Sequence, residues 1–397
     1  MFHFRLCFAG REREERVKKD FSLQRQDFYD RMKLAIANFY GRIAEKGFLA
    51  VASKKRVKSN AKSEKRQNGK MEKTMKQTTD IPQKSGGEYI ECGGCKQYLQ
   101  YIPGNKDNLP VMLILNPVPG IPASLISHHE PPEVSDYYTR VYWDEPGSGK
   151  TLQKNKGYFP DLEERLSTLK EIVDYLKGVY GKDRLILQAC SFGTILGSLY
   201  TIKHPEDLLC YIGLSQIVSF QDQEAADLVI LKNLAINAGK KKDFNRLEAL
   251  KPYPYEAYGP AYRKKFETVA KIRKGYQGGR DGKEILDLMK SSPDFHMADR
   301  LALLKGVAGN RDYWEDIMKC NLTETDGTYQ VPVYYLLGES DSFLSQTLLK
   351  KYFNTLRAPQ KELFELPDAG HCMMLDNGEE YLKVLKVIRG MLMMFRM

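Results

Sequence analysis

Three residues of the types that catalyse acyl transfer are widely separated in this chain: Ser191, Asp341 and His371. A serine hydroxyl is a weak nucleophile at neutral pH, so it needs a base within hydrogen-bond distance and a third group that orients the base. Ser191 and Asp341 each follow a short apolar run that is typical of a buried strand, and His371 follows the strand-like segment Lys361–Leu366. Because the carboxyl ends of parallel strands lie along one edge of a sheet, we expect these side chains to meet there.

Ser191 lies at the apex of a strand–turn–helix pattern. The apolar run ends in Ala189-Cys-Ser-Phe-Gly193, and a helical segment begins at Thr194. Ala189 and Gly193 are small, as a nucleophile elbow requires, because the strand and the helix pass close to each other beside the serine. The motif predicts a strained backbone at Ser191. The alternative is a serine in an ordinary turn, since so short a pattern also occurs by chance.

The acid and the base of this constellation both have rivals in the sequence. Glu339 lies two residues before Asp341, and either carboxylate could orient a histidine. His128 and His129 are the rivals of His371. The order serine, acid, histidine on successive strands favours Asp341 as the acid and His371 as the base.

A tetrahedral intermediate needs two fixed N–H donors around its oxyanion. The backbone N–H of Phe192, directly after the serine, is the first candidate. The second is expected from the loop Asn116-Pro-Val-Pro-Gly120, which follows a buried strand. Its two prolines have no N–H, so Val118 is the natural donor. We therefore predict an oxyanion hole formed by Phe192 and Val118.

Two other motifs are better explained by structure than by ligands. Gly147-Ser-Gly-Lys-Thr151 resembles the end of a phosphate-binding P-loop, but Asp144 stands where the first glycine is required. Cys92-Gly-Gly-Cys95 lies between two strand-like runs and has no second ligand pair, so a hairpin turn is favoured over a zinc or redox site. We therefore expect no bound nucleotide, no metal and no cofactor.

The order of the predicted elements defines the fold class. Strands and helices alternate from residue 86, which predicts an α/β fold: a mostly parallel sheet with helices on both faces. The alternation stops over residues 217–327, where helical patterns replace buried strands. We therefore expect a core of residues 86–216 and 328–397 that is interrupted by a helical cap at 217–327.

The net charge of +10 belongs to the N-terminal segment. Residues 1–80 hold 21 Lys and Arg against 10 Asp and Glu, and the remaining residues are almost neutral. Residues 21–52 have helical spacing, and residues 51–70 are basic, polar and typical of a disordered linker. We therefore interpret residues 1–85 as a basic extension. A winged-helix segment is the alternative, so any nucleic-acid contact is expected through residues 1–80.

Cysteine usage and hydropathy bear on the compartment. The seven cysteines are scattered and odd in number, as is typical of a protein from a reducing compartment. No apolar run reaches the roughly 18 residues of a membrane span. The N-terminal apolar stretch is short and broken by Arg5, so it makes a poor signal peptide. We therefore expect a cytoplasmic protein without a membrane partner.

From about residue 87 to 395 the chain resembles the α/β-hydrolase superfamily, and more closely the proline iminopeptidase-like group, peptidase family S33. The segments that carry the resemblance are the elbow Ala189–Gly193, Trp143-Asp-Glu-Pro-Gly-Ser-Gly149, Gly338–Asp341 and Gly370-His371. Two segments depart from the group. Its His-Gly-Gly-Pro-Gly loop is Asn116-Pro-Val-Pro-Gly120 here, and its Gln-Arg after Trp-Asp is Glu145-Pro146.

The resemblance implies an α/β-hydrolase fold with an inserted helical cap, and hydrolysis of a small peptide, amide or ester through an acyl-enzyme. Ser191 would attack, His371 would carry the proton and Asp341 would orient His371. Cap carboxylates would hold the free amine of an aminopeptidase substrate, with Glu256 as a candidate. Two alternatives to the aminopeptidase stay open: a carboxylesterase-type hydrolase, and a catalytically degenerate hydrolase domain fused to a DNA-binding N-terminal segment.

Overall fold

The computed structural model of the chain describes residues 84–277, 288–341 and 346–395. The amphipathic helix predicted within 21–52, the basic linker at 51–70 and the possible nucleic-acid contact of residues 1–80 lie outside the described residues.

Eight strands of the described part of the chain form one sheet. They are β1 (Gly86–Cys92), β2 (Cys95–Ile102), β3 (Val111–Ile114), β4 (Thr139–Asp144), β5 (Leu185–Cys190), β6 (Leu208–Leu214), β7 (Val333–Gly338) and β8 (Lys361–Leu366). Their order across the sheet is β1-β2-β4-β3-β5-β6-β7-β8. The pairs β1–β2 and β2–β4 are antiparallel, and the other pairs are parallel. The predicted mostly parallel sheet is therefore confirmed.

The sequence predicted the helical segment that begins at Thr194 and the helical patterns of residues 217–327. The α-helices of the described residues lie between the strands and after the last one. They are α1 (Gly149–Lys154), α2 (Leu162–Tyr180), α3 (Gly193–Lys203), α4 (Phe220–Asn237), α5 (Lys241–Glu248), α6 (Pro260–Gln277), α7 (Met297–Gly309), α8 (Arg311–Lys319), α9 (Gln346–Thr355), α10 (Met373–Asp376) and α11 (Gly378–Phe395). Helices α4 to α8 all lie between β6 and β7, so they form the expected helical insertion. The domain boundaries at 85, 216 and 327 remain predictions. Within the described ranges, no helix has both the length and the apolar character needed to cross a membrane.

The sheet is covered on both faces, as β5 illustrates. Leu185, Leu187 and Ala189 of this strand belong to one hydrophobic cluster, which includes side chains of α2, α3 and the inserted helices. Ile186 and Cys190 belong to a second cluster, which includes side chains of α11. Because alternate residues point to opposite faces and both faces are buried, the strand reads as a continuous apolar run.

The hairpin of β1 and β2 turns at Gly93 and Gly94, as predicted. Both glycines have positive φ, 59° and 71°, which a tight two-residue hairpin turn requires. The turn sets Cys92 opposite Cys95 in the strand register. Burial raises the pKa of the Cys95 thiol to about 11, so it is protonated at neutral pH.

Candidate active site

The chain makes a sharp turn at Ser191, between β5 and α3. Ser191 has a φ of 54°, a left-handed conformation that is uncommon for residues other than glycine. A Cβ on Gly193 would lie 2.1 Å from the backbone oxygen of Asn116, so only glycine fits there. The strained backbone that the motif predicts is therefore present, and the loop after β3 packs directly against the turn.

His371 bridges the serine and the acid. Its Nε2 lies 2.9 Å from Ser191 Oγ, and its Nδ1 lies 3.0 Å from Asp341 Oδ2. Both are hydrogen-bond distances. The Asp341 side chain has no exposed surface and that of His371 is 22% exposed, so the relay runs from the protein interior to an accessible edge. Three residues predicted from strand ends thus lie in contact.

The rival residues lie in other environments. His128 Nε2 contacts Asp294 Oδ2 at 2.9 Å, and His129 Nε2 contacts Ser292 Oγ at 2.9 Å. Glu339 is exposed to solvent, two residues before the buried Asp341. The sequence order of the motifs therefore selected the acid and the histidine that the fold brings to Ser191.

Ser215 is a site residue that the sequence reasoning missed. It directly follows β6, has a φ of 48° and is fully buried. Its hydroxyl donates to Asp341 Oδ2 at 2.8 Å, and its Oγ also lies 3.2 Å from the backbone oxygen of His371. The available signal was its position, because Ser215 follows an apolar strand as Ser191 and Asp341 do.

The two predicted oxyanion donors lie on neighbouring loops. Phe192 has helical backbone angles (φ −59°, ψ −30°) and is the N-cap residue of α3, so its N–H lies at the positive end of that helix. Val118 lies in the loop after β3, and its carbonyl accepts the N–H of Ile121 at 2.9 Å. The contact between Asn116 and Gly193 joins the two loops. Donation to an oxyanion by Phe192 and Val118 remains a prediction.

Aromatic rings of the insertion cover Phe192, the residue next to Ser191. The ring of Phe192 lies 5.1 Å from that of Phe220 and 4.8 Å, edge to face, from that of Trp314. Tyr258 stacks on Trp314 at 5.8 Å. The surface beside Ser191 is therefore apolar and aromatic, and it is built from α4, α8 and the loop before α6.

An acidic cluster is buried in the insertion. Glu224 and Asp227 of α4 both accept hydrogen bonds from Arg273 Nη2 of α6, at 2.8 and 2.9 Å. Burial raises the pKa of Asp227 to about 7; the guanidinium of Arg273 opposes this rise, while the negative charges of Glu224 and Asp341 add to it. The negative charge of Asp341 contributes to this rise, so the cluster and Asp341 interact electrostatically.

Glu256, the cap carboxylate chosen from the sequence, is paired with Lys265. Its Oε1 lies 2.7 Å from Lys265 Nζ, and its side chain is 19% exposed. A role for Glu256 in substrate binding remains a prediction. The buried acids Glu224 and Asp227 were missed, although their spacing of three residues puts both on one face of α4.

Two segments that resemble ligand sites are occupied by the chain's own charges. In the P-loop-like segment, Asp144 Oδ2 accepts the N–H of Lys150 at 3.0 Å, so a carboxylate lies where a phosphate would. Among the described residues, His204, Glu206 and Asp207 have the spacing of a metal site. Asp207 is instead paired with lysine ammonium groups, including that of Lys177 at 2.8 Å.

Comparison with known proteins agrees with this fold. Residues 118–378 match the family described as the alpha/beta hydrolase fold. A "Probable aminopeptidase YbaC" of Bacillus subtilis (strain 168) is 24% identical over 289 residues, which cover 71% of this chain and 89% of that protein.

Solved structures with the same fold include a proline iminopeptidase of Mycobacterium smegmatis, with a TM-score of 0.56 and 14% identity, covering 77% of this chain and 98% of that one. An esterase of Exiguobacterium antarcticum has a TM-score of 0.51 and 14% identity, covering 77% of this chain and 100% of that one. The family match spans most of the chain and includes the strand ends that bring Ser191, Asp341 and His371 together. The chain therefore belongs to the alpha/beta hydrolase fold family.

Proposed function

We propose that this protein is a serine hydrolase that works through an acyl-enzyme, with Ser191 as nucleophile, His371 as base and Asp341 as the orienting acid. The observation that carries the proposal is the hydrogen-bonded relay from Ser191 Oγ through His371 to Asp341, with distances of 2.9 and 3.0 Å. The positive φ of Ser191 supports it, because backbone strain is common at reactive residues.

The relay accounts for each proton in the reaction. His371 Nε2 takes the proton of Ser191 as Oγ bonds to the substrate carbonyl, and the buried Asp341 stabilises the imidazolium that forms. The N–H groups of Phe192 and Val118 would donate to the oxyanion. His371 then gives the proton to the leaving group, and water repeats the sequence to release the acid and restore the serine.

The preferred substrate class is a small peptide or amide with a free amino group. Buried carboxylates stabilise a cation close to them, and Glu224 and Asp227 are buried in the insertion whose aromatic rings contact Phe192. The aromatic rings beside Phe192 would accept an apolar or ring-shaped side chain. Similarity to a probable aminopeptidase and to a proline iminopeptidase supports the same class.

One set of contacts favours an esterase as the second candidate. Arg273 already bonds to Glu224 and Asp227, and the hydroxyl of Tyr253 donates to the other oxygen of Glu224. The guanidinium compensates part of the negative charge that a substrate amine would need. A neutral ester would need no such charge, and the aromatic surface would still bind its acyl group.

Covalent labelling tests the nucleophile. A fluorophosphonate probe should label the wild-type protein and fail to label Ser191→Ala, because the probe reacts with an activated serine. Ser198→Ala is the matched control. Ser198 is also a buried serine, but it lies within α3 and not at the turn. Equal labelling of wild type and Ser191→Ala would refute the assignment.

A matched set of substrates tests the class. An amino-acid arylamide and the corresponding nitrophenyl ester carry the same aminoacyl group, and the N-acetyl derivative of each lacks the free amine. An aminopeptidase should lose most of its kcat/KM on N-acetylation, and Asp227→Asn should lose the discrimination between the free and the acetylated amine. Equal kcat/KM values for the free-amine ester and its N-acetylated form would instead support the esterase.

A further inference from the structure

Asn116 begins the loop that carries Val118, and it is held on three sides. Its backbone N–H donates to Glu145 Oε1 at 3.0 Å, and its side-chain N–H donates to Ser148 Oγ at 2.7 Å. Its side-chain oxygen accepts the backbone N–H of Ala123 at 2.7 Å. The loop 116–123 is therefore closed at both ends through Asn116, and Glu145 bonds to its backbone.

The second oxygen of Glu145 connects the loop to α2. Arg165 Nη1 lies 3.4 Å from Glu145 Oε2 and also donates to the backbone oxygen of Pro146. The two charged side chains are each 1% exposed. The loop after β4 is therefore fixed to the first turn of α2 by an ion pair that solvent hardly reaches.

The same guanidinium reaches the inserted helices. Arg165 Nη2 donates to Asn310 Oδ1, and Asn310 lies between α7 and α8. The Asn310 amide nitrogen donates to the backbone oxygens of Gly147 and Gly306, at 2.9 and 2.7 Å. A continuous chain of contacts therefore runs from the insertion through Arg165 and Glu145 to Asn116.

Helix α7 also touches the loop directly. A Cβ on Gly120 would lie 2.3 Å from the backbone of Gly306, and a Cβ on Gly306 would lie 2.9 Å from Gly120 Cα. Backbone therefore packs on backbone at this point. The loop 116–123 is held by α7 on one side and by Glu145 at its start.

The charge of Glu145 is costly where it lies. Burial raises its pKa to about 7, although Arg165 opposes the rise and the neighbouring Asp144 adds to it. Tyr313 of α8 covers the guanidinium, with its ring centre 4.0 Å from the Arg165 Cζ. A buried ion pair stabilises a fold weakly, so this one is better explained by what it orients than by a gain in stability.

We infer that Glu145 is a positioning residue for the proposed reaction: its carboxylate holds the oxyanion loop 116–120 in register with Ser191, and Arg165 and Asn310 extend this support to the insertion. The inference rests on the proposed function, because the loop matters catalytically only if Val118 faces a developing oxyanion. Glu145 acts through Asn116 and does not itself touch the reacting atoms.

The test compares Glu145→Ala with Glu145→Gln. The alanine variant loses the acceptor for the Asn116 N–H, and a poorly aimed oxyanion donor costs about 10- to 100-fold in kcat. KM should stay within about threefold, because the aromatic and acidic groups of the insertion are unchanged. The glutamine variant keeps an oxygen at the same place, so it should recover most of kcat. Equal kcat in wild type and Glu145→Ala would overturn the inference.

Hydrogen–deuterium exchange gives a readout that does not depend on activity. The amides of residues 116–123 should exchange about tenfold faster in Glu145→Ala than in wild type, while Glu145→Gln should stay near wild type. If the wild type shows no labelling that depends on Ser191, the proposed function fails, and exchange alone decides whether Glu145 holds the loop. Unchanged exchange, or faster exchange with unchanged kcat, would overturn the positioning role.

Two further variants guard against a merely structural effect. Glu130→Gln removes a comparable buried pair, Glu130 with Arg140 at 2.8 Å, without touching Asn116. It should leave kcat and the exchange of 116–123 unchanged, and a loss equal to that of Glu145→Ala would overturn the inference. If Glu145→Ala does not fold, Ser148→Ala loosens the same loop through the Asn116 side chain. Wild-type kcat and exchange in Ser148→Ala would then count against it.

Discussion

Removing the hydroxyl of Ser215 should slow the proposed reaction without changing substrate binding. Ser215 Oγ donates at 2.8 Å to the same Asp341 oxygen that His371 Nδ1 contacts at 3.0 Å. In Ser215→Ala the buried carboxylate loses a donor, so its ionised form is less stable and its orientation toward His371 is less fixed. The substitution keeps the backbone N–H of residue 215, which donates to the backbone oxygen of Leu336 in β7. The pairing of β6 with β7 is therefore unchanged.

The magnitude follows from the strength of one hydrogen bond. A hydrogen bond to a charged group contributes about 1.5 to 3 kcal/mol net. Because Ser215 bonds to Asp341 both before and during proton transfer, only part of this energy is lost from the transition state. A loss of about 1 to 1.5 kcal/mol corresponds to a fall in kcat of about 5- to 12-fold.

The assay is kcat on the best arylamide or ester, corrected for the fraction of active enzyme by burst titration with a slow acylating substrate. Ser198→Ala is the control, because the Ser198 hydroxyl is equally buried but lies 3.4 Å from the neutral Gln216 side chain. A Ser215→Ala enzyme whose kcat lies within twofold of the control would refute the reasoning, as would a rise in KM that accounts for the whole loss.

Three other predictions use the charges and the close backbone contact. Relative to Glu145→Gln, the unfolding free energy of the wild type should fall as pH rises from about 4.5 to about 7, because the folded protein keeps the Glu145 proton to about 7 and the unfolded chain loses it earlier. The fall of about 3 kcal/mol is measurable by urea unfolding at pH 5 and pH 8, and parallel pH profiles of the two proteins would contradict the prediction. KM for a free-amine substrate should fall as pH rises through about 7 and Asp227 ionises, whereas Asp227→Asn should lack this change; identical KM profiles would exclude Asp227 from the amine site. Gly120→Ala should lower the unfolding free energy by more than about 2 kcal/mol, since backbone strain at φ 90° adds to a clash with α7. Gly157→Ala, at φ 80° with open space around it, should bear only the cost of the strain, and thermal melts of the two variants test the difference.

Local sequence signals were sufficient to predict the sheet edge and the relay. Ser191 and Asp341 follow parallel strands that are buried on both faces and are therefore readable as apolar runs, and His371 follows the partly buried edge strand β8. The small residue Gly193 indicated that two backbone segments approach each other closely at the elbow, and the structure leaves no room for a Cβ there. These features depend on short segments and on the general geometry of parallel sheets.

The packing of the inserted helices could not be predicted in this way. Glu224 and Asp227 have the spacing of an ordinary solvated helix face, and only the packing of α6 against α4 buries them beside Arg273. Glu256 looked equally suitable in sequence, yet the fold pairs it with Lys265. Which carboxylates of the insertion become buried depends on the angles between helices, and no local pattern encodes those angles.

The pair of Glu145 and Arg165 was missed for a related reason. The two residues are 20 positions apart, on a loop and a helix, and neither position suggests a partner. The sequence identified only a departure from the resembling group at Glu145-Pro146. Because Glu145 is buried beside Arg165, it connects α2 to the predicted oxyanion loop.

The contact between Gly120 and Gly306 limits how this hydrolase can diversify. A side chain at either position would push α7 away from the loop, so mutation has little freedom where the insertion meets the loop of the predicted oxyanion donor Val118. Helices α4 and α8 instead place Phe220 and Trp314 against Phe192, beside Ser191, where changes in ring size leave the backbone contact intact. New substrate preferences in relatives of this chain should therefore arise by substitution in α4 and α8, with α7 kept as a fixed reference for the loop.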